Sequence, residues 1–172
     1  DELRRSLDHA ERSRRAMVST LEDQKRAEDA LRFANVVMST QQETSIDGIL
    51  VVDENGGIMS SNRRFAAMWG IQPDVAASKS YERTILSVLD RLANPEEFIA
   101  KVKHLYESRT ETSEDEIALK DGRTFDRYSA PMLGAGGKYY GRVWYFRDIT
   151  SSKRAEESLR QSEGQLRQAV KM

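Results

Sequence analysis

Catalysis or metal binding needs a nucleophile, a titratable group or a ligand set in a workable spacing, and this chain of 172 residues is sparing with all three. It contains no cysteine, which excludes disulfides, thiol nucleophiles and thiolate metal sites. Of its two histidines, His9 stands in a long charged stretch, and the following Ala10-Glu11-Arg12-Ser13 lacks the proline-containing context of a phosphoacceptor site. His104 falls on the side of a predicted helix away from the apolar stripe, the place of a solvated residue. Asp47, Asp53, Asp121 and Asp126 have the type needed for acid–base or metal work, but each sits at a strand end or turn, where Asp bonds its local backbone. Gly134, Gly136 and Gly137 precede a strand, whereas a phosphate-cradling loop opens a helix. Trp69, Tyr128, Trp144 and Phe146 have the size and flatness to line a cavity for a planar ligand; the commoner role of such residues is plain core. No catalytic residue and no metal site is expected.

Composition narrows the partners. Charged residues make up 32% with a net charge of -1, acids and bases interspersed, so no basic surface follows a phosphate backbone and nucleic acid is not an expected partner. No apolar run approaches the roughly 20 residues that cross a bilayer, and no signal-peptide pattern is visible. The expectation is a cytoplasmic piece of a longer protein without membrane contact of its own.

Residues 1–42 lack Gly and Pro and are dense in Arg, Glu, Leu and Ala, a composition of high helix propensity. A seven-residue step lands on Leu3, Ala10, Met17, Gln24, Leu31 and Met38, interleaved with Leu7, Arg14, Leu21, Glu28 and Asn35. This predicts a parallel coiled-coil arm, kept marginal by its polar seam positions; a solvated helix packed along its own domain is the alternative. The run Lys25-Arg26-Ala27-Glu28-Asp29-Ala30-Leu31-Arg32 nearly recurs as Lys153-Arg154-Ala155-Glu156-Glu157-Ser158-Leu159-Arg160, so similar helices enter and leave one module.

Between them the pattern predicts an α+β domain over residues 43–150. Asp47–Asp53 and Ile58–Ser61 read as a hairpin closed by a tight two-residue Asn55-Gly56 turn. Asn62 caps a short helix bearing Phe65, Met68 and Trp69 and stopped by Gly70. One helix is predicted over Tyr81–Leu92; another follows, capped by Asn94 with Pro95 in its first turn. Strands at Glu116–Lys120, Arg123–Ala130 and Tyr139–Phe146 complete an antiparallel sheet with the helices on one face.

The last strand runs through Val143-Trp144-Tyr145-Phe146 into Asp148-Ile149-Thr150 and then into the charged helix of residues 151–172, with Thr150, Ser151 or Ser152 as its expected cap. Together with Asp47-Gly48-Ile49, the Asn55-Gly56 turn, Asn62 before Phe65 and the Asp121-Gly122-Arg123 turn, this ending resembles the PAS domain. The resemblance implies a five-stranded antiparallel sheet with its first two strands beside the last, flanked by N- and C-terminal coiled-coil helices of the kind that join sensors to histidine kinases or diguanylate cyclases. It implies a sensory and relay role, with Asp148 and Thr150 coupling the sheet to the exit helix, in a homodimer joined to upstream and downstream domains of its own chain. The alternative is a ligand-free dimerisation spacer. The light-sensing flavin branch of the family needs a cysteine and the haem branch an inward histidine, so neither cofactor is expected, and an unidentified small molecule remains open.

Overall fold

The computed structural model describes residues 2–170, the side chain of residue 170 excepted; Asp1, Lys171 and Met172, the outer ends of the two predicted arms, lie outside the described residues. The chain divides after Gln41 into two compact units. The first is formed by helix α1 (Glu2–Thr44) as far as Gln41, the last turn of the helix belonging to the second unit; none of the residues of α1 is buried. Its predicted seam is open to solvent: Leu3, Leu7, Met17, Leu21, Leu31 and Met38 are all exposed. Charge pairs one turn apart, Arg15 with Glu11 at 3.9 Å and Arg32 with Glu28 at 3.7 Å, support the helix by tenths of a kcal/mol each, about 0.2–0.5.

The second unit holds strands β1 (Gly48–Asp53) and β2 (Ile58–Ser61), helices α2 (Arg63–Trp69), α3 (Pro73–Ser78), α4 (Tyr81–Leu89) and α5 (Pro95–Glu107), strands β3 (Ser113–Ala118), β4 (Thr124–Leu133) and β5 (Tyr139–Asp148), and helix α6 (Thr150–Val170). The five strands form one sheet in the order β2-β1-β5-β4-β3, with every pairing antiparallel. The α+β class, the antiparallel sheet and the insertion of the first hairpin beside the last strand are as expected.

The hairpin turns differ from the expected two-residue form. Gly56 N–H donates to Asp53 O (3.0 Å) and Asp53 N–H to Gly57 O (2.8 Å), leaving a three-residue loop. Only Gly56 of the pair Asn55-Gly56 has a positive φ, +86°. The Lys120-Asp121-Gly122 loop repeats this bonding between Leu119 and Arg123, again with a left-handed glycine in third place. Helix α4 stops at Leu89, short of the predicted Leu92, because Leu92 leaves the helix to bridge Leu119 while Ala93 N–H donates to Ala118 O (2.9 Å). Leu92 thereby becomes fully buried. Asn94 precedes Pro95 as foreseen but makes no side-chain cap bond, since its backbone (φ -126°, ψ 75°) is not that of an N-cap.

The core lies between the sheet and α2–α5. Trp69 is its centre, meeting Phe125 and Phe146 edge-on at ring distances of 5.1 and 5.3 Å and Phe98 at 6.3 Å. Such pairs add about 0.5–1.5 kcal/mol each beyond the area they bury. Val52, Val88, Leu105, Ile117 and Leu119 fill the rest.

Candidate functional site

The way out of the sheet is a compact bonded joint. Ile149 N–H donates to Thr124 O of β4 (3.0 Å), and Ile149 O accepts Lys153 N–H (2.9 Å), so the strand ends and α6 begins on one residue. Thr150 N–H donates to Asp148 Oδ1 (3.0 Å), and the Thr150 hydroxyl donates to the same oxygen. That hydroxyl also accepts Thr124 N–H (3.0 Å). The helix start is therefore capped by the Asp148 carboxylate, not by a hydroxyl of Thr150, Ser151 or Ser152, because a charged acceptor suits the positive end of a helix better than a neutral one. Burial disfavours the charged form of Asp148, yet the Thr150 hydrogen bonds and the charges of Arg123 and Arg64 hold its carboxyl below the usual carboxylate value. A second stitch, Lys153 to Glu116 of β3 at 2.7 Å, lies at the surface, where solvent screens it.

The way in is equally bonded, and its centre is Asn62. Its Oδ1 accepts Phe65 N–H (2.9 Å), as a cap should, and also Ile49 N–H of β1 (2.8 Å). Its Nδ2 donates to Gln42 O (2.7 Å) and Asp47 O (2.9 Å). All four bonds an amide side chain can make are made, and the residue is 1% exposed. Glu43 receives Arg63 through its backbone N–H and its Nε at 3.3 and 3.0 Å.

Entry and exit meet at Asp47. Its backbone oxygen belongs to the Asn62 cluster, while its carboxylate takes a two-pronged contact from Arg147 Nε and Nη2 at 2.7 and 2.8 Å. The pairing of Gly48 with Phe146 sets the first residue of β1 beside the end of β5. Residues that introduce the chain into the sheet and residues that lead it out thus share one sheet corner.

Trp69, Trp144 and Phe146 point into the core, and Tyr128 does not. Phe125, Arg127 and Ser129 take the inner face of β4, so the period of two puts Tyr128 on the outer face, 41% exposed and stacked near Tyr145 at 6.2 Å. The aromatic cluster leaves little space. Among the described residues, a space of about 40 Å³ opens between the start of α5 and β3, and one of about 10 Å³ beneath α2 and α4. Neither holds a planar cofactor without the cluster moving apart.

Two arginines that no local sequence pattern singles out are buried. Arg127 is 2% exposed, pairs with Asp115 through Nε and Nη2 at 2.8 and 2.6 Å, and lies over the rings of Phe98 and Trp144. Arg142 is fully buried and has no acid partner among the described residues; it donates to Ser129 Oγ (3.0 Å), Ser108 O (3.1 Å) and Glu111 O (2.7 Å). Ser108 ends α5, so the negative end of that helix takes the place of a counter-ion. The alternation from Phe125 inward was the available signal for Arg127, overridden by its charge.

The remaining candidates have local roles. His9 lies on exposed α1, and His104 bonds Glu111 at 2.9 Å on the surface, where this bond holds the Glu111 carboxyl below its usual value. Asp53 Oδ1 accepts the backbone of Asn55 and Gly57 (both 2.8 Å), and Asp121 Oδ1 that of Arg123 (3.0 Å). Among the described residues no group of three or more His, Asp or Glu is placed to hold a metal, and no helix is long and apolar enough to cross a membrane.

A sequence profile described as PAS fold matches residues 43–157. Among solved structures the chain is similar to the PAS domain of an HTR-like protein from Haloarcula marismortui (21% identity, 73% of this chain and 99% of that one, TM-score 0.51). It is similar also to the PAS domain of Bordetella pertussis BvgS (18%, 78% and 98%, TM-score 0.51). The sensor region of a sensor histidine kinase matches at 19% identity over 62% of this chain, with a TM-score of 0.47, and the chain spans only 41% of that region. No curated protein matches. At these identities the likeness to the solved structures is one of fold, while the profile covers the sheet, its helices and the first turns of α6. The chain belongs to the PAS fold family.

Proposed function

We propose that this is a non-catalytic sensory and relay module of a larger cytoplasmic signalling protein, such as a sensor histidine kinase or a diguanylate cyclase. It works as a parallel homodimer held by the seam of α1 and by α6. The observation that carries this reading is the shared corner: Asn62 grips the incoming chain at Gln42 and Asp47, and Asp47 grips Arg147, the residue before the cap of the outgoing helix. A displacement of the incoming helix reaches α6 through hydrogen bonds, without crossing the core. Exposed apolar seam residues on α1 give a second copy something to bury, and the polar seam positions keep the contact adjustable.

The packing around Trp69 favours one rival, a spacer with a filled core that only holds helices in register. One experiment separates the two. The chain has no native cysteine, so Leu21→Cys places a single thiol on the seam. In a parallel dimer oxidation links the two copies, and in a relay the link changes amide exchange along α6. Failure to cross-link overturns the parallel dimer; cross-linking with unchanged α6 exchange overturns the relay in favour of the spacer.

A further inference from the structure

We infer that Asn55-Gly56 is a site of self-modification, where the backbone nitrogen of Gly56 attacks the Asn55 side chain and water completes the change to aspartate or isoaspartate. Asp53 is the guard that slows it. The chain has four asparagines, and one of them is open to this attack. Asn94 precedes Pro95, whose nitrogen carries no proton to lose. Asn62 is 1% exposed with its amide fully bonded. Asn35 lies within α1, where the helix holds the next N–H and the branched Val36 crowds it. Asn55 is exposed in the β1–β2 loop, and Gly56 has no Cβ to shield its nitrogen.

The step balances without an oxidant or a cofactor. Gly56 N gives up its proton to hydroxide and bonds to Asn55 Cγ; the Cγ–Nδ2 bond breaks, and the amide nitrogen leaves as ammonia with a proton returned by water. A cyclic imide remains, and water opens it. Attack at Cγ gives aspartate, and attack at the main-chain carbonyl carbon gives isoaspartate, whose backbone runs through the side-chain methylene.

Four hydrogen bonds hold the nucleophile back. Gly56 N–H donates to Asp53 O (3.0 Å) and Asp53 N–H to Gly57 O (2.8 Å). Asp53 Oδ1 accepts Asn55 N–H and Gly57 N–H, each at 2.8 Å. These bonds clamp both sides of the peptide group that must turn toward Asn55 Cγ, and the Asp53 carboxylate repels the anion that forms on its nitrogen. Reaction therefore waits for the loop to open. Losing even two bonds of ordinary net strength makes the open loop at least about tenfold rarer.

Either product adds a negative charge beside Asp53 and Glu54. Isoaspartate also lengthens the main chain inside a three-residue loop, so Gly56 and Gly57 no longer reach Asp53 together. The loop rests near α5, since a Cβ on Gly56 would lie 3.7 Å from the Tyr106 ring. The consequence is a one-way loosening of the β1–β2 hairpin that accumulates with the age of the chain, and it does not depend on the relay reading.

The test is incubation of the whole chain at mildly alkaline pH, folded and in denaturant, beside a synthetic peptide of residues 50–60. Asn55 is followed by peptide mass spectrometry, with isoaspartate resolved from aspartate by chromatography. Conversion is expected at Asn55 with Asn35, Asn62 and Asn94 unchanged, at least about tenfold slower in the folded chain than in denaturant or in the peptide. Asp53→Ala should bring the folded rate several-fold closer to that of the peptide. Should that variant not fold, the native chain folded against denatured decides. No conversion in the folded chain while the peptide is consumed, conversion as fast at another asparagine, equal rates folded and denatured, or a folded Asp53→Ala no faster than native overturns the assignment. Aged chain rich in isoaspartate is then compared with Asn55→Asp, which carries the charge alone. Faster amide exchange of residues 52–58 in the aged chain is expected, and equal exchange overturns the loosening.

Discussion

Replacing Asn62 with Asp separates the two jobs of that residue. The shapes are almost equal, and the retained oxygen still accepts from Phe65 and Ile49, so the helix cap, worth about 1 kcal/mol, survives. What changes is the other side. The amide nitrogen that donates to Gln42 O at 2.7 Å and Asp47 O at 2.9 Å becomes an oxygen facing two carbonyls. An unsatisfied buried polar group costs about 1–3 kcal/mol. Both carbonyls sit at the edge of solvent, so we expect a loss near the low end for each, about 2–3 kcal/mol in total at neutral pH.

The loss has a pH signature. Burial and two opposing carbonyls raise the pKa of the introduced carboxyl in the folded state above its unfolded value of about 3.9. The part of the penalty due to ionisation is then complete above the raised folded pKa and disappears below the unfolded one, leaving the smaller cost of the one carbonyl without a donor. Between them the protonated acid regains one O–H donor for one of the two carbonyls. Urea midpoints at pH 8, 7, 6 and 5 should show the difference between Asn62→Asp and the native chain shrinking as pH falls, with faster exchange of amides near residues 42–46. The control Asn62→Ala loses the cap and the partner of Ile49 as well and should cost about 2–4 kcal/mol without that trend. Native stability in Asn62→Asp, or a loss that does not vary with pH, would refute the role given to Nδ2.

At the exit, Thr150→Val removes the hydroxyl that accepts Thr124 N–H and should cost about 1–2 kcal/mol, fraying the first turn of α6 while the core stays folded; exchange of residues 150–157 reads it. Because the Asp148 carboxyl is held below its usual value, its contribution is present above the unfolded pKa and lost as pH falls through the folded one, so α6 exchange should quicken in that acid range in the native chain and not in Asp148→Ala. Asp126 is the opposite case: burial and neighbouring Glu114 and Glu116 raise its pKa, a penalty complete above the raised value and absent below the ordinary one, so Asp126→Asn should raise Tm at pH 7 and lose that gain on acidification. The purified chain should show no visible absorption band that survives dialysis; such a band would contradict the expectation of no haem or flavin.

What could be read from the sequence was local. Gly56, Gly70 and Gly122 mark backbone that only a left-handed residue completes, and each turn or helix end fell where they stand. Asn62 was legible as a cap because Phe65 is three residues away; its other bonds reach 13, 15 and 20 residues along the chain, and no local pattern encodes them. Residue type alone suggests an inward Tyr128 and an outward Arg127, and the two-residue period of β4 reverses both. Sequence shows only neighbours along the chain, which points the Thr150 hydroxyl at its own helix, and the competing claim of Thr124 is visible only once β4 lies alongside β5.

Whether the two joints communicate is decided by combining them. Asn62→Asp disturbs the carbonyl of Asp47, and Thr150→Val disturbs the cap that follows Arg147, whose guanidinium holds the carboxylate of that same Asp47. Strand β5 adds a second connection. Phe146 lies beside Arg147 in sequence but faces inward, packed on Phe65 of α2 at 5.5 Å, and α2 is the helix that Asn62 caps. Perturbing either joint therefore acts on groups the other joint also uses. A double-mutant cycle should return a coupling of about 0.5 kcal/mol or more, because additivity holds only for sites without shared partners. The single substitution Asn62→Asp should by itself alter α6 exchange. If the two losses of stability simply add, and α6 exchange in Asn62→Asp matches the native chain, then entry and exit are merely neighbours, and the corner at Asp47 fastens the fold without carrying a signal.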